Sequence, residues 1–114
     1  MLQDWRPPLL RRLKRWASNR FPLTFPVRVY LRNGRQMGGN LGTFQFDAEE
    51  ESGRIFLLNT QGKDNLIDTF CEEWAHARCA WLLDTEDNTI DPDHHPSFWA
   101  EYGRIQSAVR QIGW

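Results

Sequence analysis

The sequence predicts one α+β domain spanning residues 1–114, in the order α-β-β-β-α-α, and three observations carry that prediction. Residues 7–19 and the stretch from Pro96 onward repeat apolar side chains at helical spacing. Between them, "VRVYLR" (27–32) and "GTFQFD" (42–47) alternate apolar with polar residues, as strands with one buried face do. Residues 64–83 are apolar around most of a helical circumference, the mark of a buried helix.

Each element has local support. Pro7 and Pro8 suit the first turn of a helix, Leu9, Leu10, Leu13, Trp16 and Ala17 form its stripe, and "FPLTFP" ends it. "NGRQMGGN" reads as a turn between the first two strands, and "DAEEESG" as a polar turn before the third. That third strand, "RIFLLN" (54–59), is a continuous apolar run. It fits burial on both faces, or an edge used to hold an extended peptide. Asp64 or Asn65 is the expected cap of the central helix. "DTEDNTIDPDHH" reads as an acidic loop, and the last helix carries Phe98, Trp99, Tyr102, Ile105, Val109 and Ile112.

Bulk properties narrow the class. With 40% hydrophobic and 13% aromatic residues among 114, the chain can bury a core. No apolar run reaches the roughly 20 residues that span a bilayer, and the N-terminus lacks the apolar core of a secretory signal. A soluble cytoplasmic protein is the expectation. Cys71 and Cys79 stand on one predicted helix, about 12 Å apart by its rise, beyond disulfide reach. Charge is uneven. Residues 1–36 hold nine bases against one acid, and residues 37–114 hold five against fourteen. Arg11, Arg12, Lys14 and Arg15 interleave with no exposed aromatic, so we expect a solvated or internally paired face; nucleic acid is not an expected partner, though the basic helix leaves it open.

One feature interrupts the central helix. Glu72, Glu73 and His76, with Thr69 beside them, break its apolar surface in "FCEEWAHARCAW" (70–81). Glu72 and His76 are four apart and share a face, while Glu73 lies about 100° around the axis. Burying two carboxylates costs several kcal/mol unless a divalent metal, arginines or an open groove compensates them. His94 and His95 are the other two histidines, just ahead of the last helix. Folded back over His76, one of them supplies the third ligand that a catalytic metal site needs.

"LIDTFCEEWAHARCAW" followed by "DHHPSFWAEYGRI" resembles the active-site region of small bacterial and phage SprT-like or minimal zincin metallopeptidases. Trp74, Ala75 and His76 match the helix of that family, and His94-His95-Pro96-Ser97-Phe98 matches its third-ligand region. The departure is Glu72, which stands where the family has the first His of His-Glu-x-x-His. The resemblance implies a zincin-like fold with Glu73 as catalytic base and a metal held by Glu72, His76 and His94, with His95 as substitute. It implies zinc, or manganese or iron, since a carboxylate ligand favours harder ions. A polypeptide is the implied substrate or partner. The alternative is a non-catalytic interaction module on the same scaffold, without metal.

Overall fold

The computed structural model describes residues 4–80 and 95–114. Helix α1 (Arg6–Arg20) has its prolines in the first turn and buries Leu9, Leu10, Leu13 and Ala17, the expected stripe. Strand β1 (Val27–Arg32) leads not into a plain turn but into a one-turn helix, α2 (Gly34–Met37). A capping box explains that difference. Asn33 accepts a bond from the Gln36 amide while the Gln36 side chain accepts one from the Asn33 amide. Gly38, at φ +59°, then closes the turn in the left-handed region.

Strands β2 (Gly42–Asp47) and β3 (Ser52–Leu58) complete a sheet of order β1-β3-β2. β3 pairs parallel with β1 and antiparallel with β2. Of the two readings of "RIFLLN", the edge is therefore the wrong one. It is the central strand, and its apolar run reflects neighbours on both sides with Ile55 and Leu57 fully buried on the inner face. The edges are β1 and β2.

Helix α3 (Lys63–Arg78) covers that inner face. Its cap is Gly62, not Asp64 or Asn65, and Asp64 instead occupies the first turn, where a carboxylate complements the helix dipole. It ends at Arg78, short of the expected Leu83, with the Cys79 amide bonded to the Ala75 carbonyl. Trp81 and the predicted acidic loop as far as His94 lie outside the described residues. Leu66, Phe70 and Trp74 are buried against the sheet and α1, and the Trp74 indole donates to the Phe21 carbonyl at 2.9 Å. Each such side chain contributes about 1.5–3 kcal/mol of burial. Helix α4 (Pro96–Val109) packs on α3 through Phe98, Ile105 and Val109. Among the described residues no helix is long and apolar enough to cross a membrane, and Cys71 and Cys79 are both free thiols.

Candidate functional site

The polar residues of α3 divide between two walls. Both β2 and α4 pack on this helix. Gly42, the first residue of β2, comes so close to α3 that a Cβ there would sit 2.5 Å from Thr69 Cγ2 and 3.0 Å from Glu73 Oε2. Glu73 thus points toward the edge strand, where it is 5% exposed. Gln61 fixes this approach. Its side-chain amide donates to the Leu41 and Leu58 carbonyls, both at 3.0 Å, and its oxygen accepts from the Thr69 hydroxyl at 2.8 Å. Among the described residues no buried side-chain nitrogen or oxygen lacks a partner, so the cost of burial is met.

Glu72 and His76 turn to the other wall and are half-buried. The His76 ring stacks on Phe98, with centroids 4.1 Å apart and planes 10° apart. Phe98 follows His95 by one turn of α4, so the start of that helix stands over His76. Glu72 acts on Tyr102, one turn further along. Burial is the main cause that raises the Tyr102 pKa, followed by its hydrogen bond to Asp68 and the charges of Asp68, Glu72 and Cys71. Asp68 accepts from the Tyr102 hydroxyl and from the Gln106 amide, both at 2.7 Å, which pins α4 alongside.

The histidines ahead of α4 differ in role. His95 caps the helix, its Nδ1 accepting from the Ser97 amide at 3.1 Å. With Nδ1 used as acceptor, a neutral ring carries its proton on Nε2. Metal ligation by His95 would require the ring to give up either that bond or the Nε2 proton. His94 lies outside the described residues.

Glu72 and His76 fit a divalent cation by donor type, one carboxylate and one imidazole on a shared face. The stack on Phe98 is compatible, because a ligand bond lies in the plane of the imidazole and not over its face. Among the described residues no group of three His, Cys, Asp or Glu side chains is arranged to hold an ion. The thiols offer no help. Burial pushes the Cys71 pKa up to about 12 and also raises that of Cys79, so both stay protonated at neutral pH.

Sequence reasoning missed Gly42, Gln61 and the docking pair Arg78–Glu101. Arg78 Nε donates to Glu101 Oε1 at 2.7 Å, and Glu101 is 5% exposed on the face of α4 toward α3. A glutamine in a loop and a glycine opening a strand carry no local signal of a long-range contact. No family model, curated protein or solved structure matches this chain closely enough to assign it a relative.

Proposed function

We propose that this chain is a zincin-like, metal-dependent peptidase whose metal site is altered at its first ligand, Glu72. The observation that supports this most is the division of α3: Glu73 is held against the edge strand β2 while His76 lies under the start of α4. The residues of the motif therefore meet both β2 and α4. Glu72, His76 and His94 are the proposed ligands, and zinc the first candidate, with manganese or iron favoured by the carboxylate. A divalent ion held by Glu72, His76 and His94 would supply Lewis-acid chemistry there. Glu73 is the base that takes a proton from water and returns it to the leaving amine.

An extended peptide fits the free edge of β2. The Leu58 amide bonds the Leu41 carbonyl at 2.9 Å, so residues 41, 43, 45 and 47 bond β3 by the alternation of antiparallel ladders. The amides and carbonyls of Gly42, Phe44 and Phe46 point away from it, and no described strand pairs with them. Strand addition there would run the peptide past Glu73. A second reading, a non-catalytic module of the same architecture, is favoured by one observation, the commitment of His95 to capping α4.

Elemental analysis of protein purified without chelator tests the proposal, together with hydrolysis of an unstructured peptide. The expected result is a bound divalent metal that His76→Ala loses, with hydrolysis that Glu73→Gln abolishes while keeping the metal. A metal-free protein that hydrolyses nothing after metal addition sinks it in favour of the second reading.

A further inference from the structure

The sheet has a second face, and its composition differs from the first. Inward-pointing Val27, Ile55, Leu57 and Phe44 belong to the core. By the two-residue period of strands, Arg28, Tyr30 and Arg32 of β1, Arg54, Phe56 and Leu58 of β3, Thr43 and Gln45 of β2, and Leu41 just before β2 point outward. The register sets them in rows. Arg28 stands beside Arg54 and then Gln45, and Tyr30 beside Phe56 and then Thr43. Arg28, Arg54 and Gln45 are exposed, so this face stays open.

Two features of the rows point to a ligand. The rings of Tyr30 and Phe56 are half-buried and stacked, with centroids 5.4 Å apart and planes 19° apart. The Arg32 guanidinium lies 5.2 Å from the Tyr30 centroid and 5.1 Å from that of Phe56. Arg28 and Arg54 are register partners, an arrangement in which like charges repel. No ion pair among the described residues involves either of them. The one acid among the strand residues of the same face, Asp47, stands opposite Ser52 and lines a surface pocket with Arg54; its carboxylate accepts from the Glu49 and Glu50 amides of the hairpin turn. An anion would relieve the repulsion, and flat groups would extend the ring stack past Tyr30 or over the small Thr43.

We infer that the outer face of the sheet binds single-stranded nucleic acid, with phosphates on Arg28, Arg54 and Arg32 and bases stacked on Tyr30 and Phe56. Unpaired bases are required, because a duplex hides the faces the rings would meet. Among the strand residues of this face three arginines stand against one acid, a balance that a phosphate backbone complements. The site is separate from Glu72, Glu73 and His76 on α3 and does not depend on the peptidase proposal. It is also distinct from the basic stripe of α1, where Arg12 lies over the Trp114 ring and Arg20 over that of Phe21.

Fluorescence anisotropy of labelled oligo(dT), oligo(U) and a duplex, each of roughly 12 nucleotides, tests this on the whole protein. The single strands should bind, and the logarithm of affinity should fall with the logarithm of salt at a slope of about −2, as three phosphate contacts give. Tyr30→Leu with Phe56→Leu should weaken binding by about fivefold or more, and Arg28→Ala with Arg54→Ala should flatten the slope to about −0.7. The arginine pair is exposed, so those variants report even if the aromatic ones fold poorly. A preference between oligo(dT) and oligo(U) identifies the sugar and supports the inference either way. Three results overturn it: no single-strand binding at about 100 µM, duplex binding as tight as single-strand binding, or binding lost only in Arg11→Ala, Arg12→Ala, Arg15→Ala. A dimer dissolved by Arg54→Glu would also overturn it, by giving the face to a second copy.

Discussion

His76 and Phe98 lie ring on ring, 4.1 Å between centroids, and this contact joins the motif helix to the start of the helix that follows it. Phe98 is 1% exposed, so burial and stacking both act through it. Burial is the larger. Phe98→Ala should cost about 3–5 kcal/mol, whereas Phe98→Leu keeps most apolar contact and should cost about 1 kcal/mol. Urea unfolding measures both, and equal losses would mean that stacking dominates.

Gly42→Ala tests the close approach of β2 to α3. The added methyl meets Thr69 at 2.5 Å and Glu73 at 3.0 Å, on residues that Gln61 and β2 hold in place. Overpacking of this kind costs about 1–3 kcal/mol. The backbone of Gly42 is not left-handed, so the cost is steric alone. A variant as stable as the wild type would show that α3 and β2 sit further apart than described.

The arginines around Glu101 should separate by burial. Arg78 bonds the buried carboxylate and is 27% exposed, while Arg104, which also pairs with it, is 67% exposed. Arg78→Met should lose about 1.5–3 kcal/mol, the range for a hydrogen bond to a charged group. Arg104→Ala should lose under about 1 kcal/mol, as exposed pairs do. The reverse order in denaturant midpoints would contradict the assignment of Arg78 as the docking contact.

Alkaline pH should destabilise the fold. The thiol of Cys71 is raised from 9.0 to about 12 by burial, and the Tyr102 hydroxyl is raised above 10.0 by burial and its bond to Asp68. Both are neutral when protonated, and the folded state holds those protons more tightly. The unfolded chain loses them first, so stability is full below pH 9 and falls as pH rises from about 9 toward 12. Melting temperatures across that range should decline, and Cys71→Ala should decline less steeply than the wild type. Parallel curves for the two proteins would count against this account.

How much of this was legible in the sequence follows from the range of each interaction. β1, β2, α1 and α4 show in the local period of "VRVYLR", "GTFQFD" and the two apolar stripes, because alternation and helical spacing are local. The central place of β3 was hidden, since strand order is set by partners far along the chain. An apolar run fits a central strand and a special edge equally. α2 was hidden for another reason. Asn33 and Gln36 form their box within a stretch whose glycines read as a turn. At the site, the shared face of Glu72 and His76 follows from helix geometry, but the turning of Glu73 toward Gly42 and the capping by His95 do not. Those depend on where β2 and α4 dock. The ligand role of His94 falls outside the described residues.

The central claim is that the face bearing Glu72 and His76 is a metal site weakened at residue 72. Zinc titration of the wild type and Glu72→His, read by thermal melting, tests it most directly. The substitution replaces a carboxylate with a third imidazole, which favours zinc. Metal that binds the folded state raises the melting temperature in proportion to its affinity. Saturating zinc should raise that of Glu72→His by at least about 4 °C and that of the wild type by clearly less. No shift in either protein, or an equal shift in both, would contradict the claim.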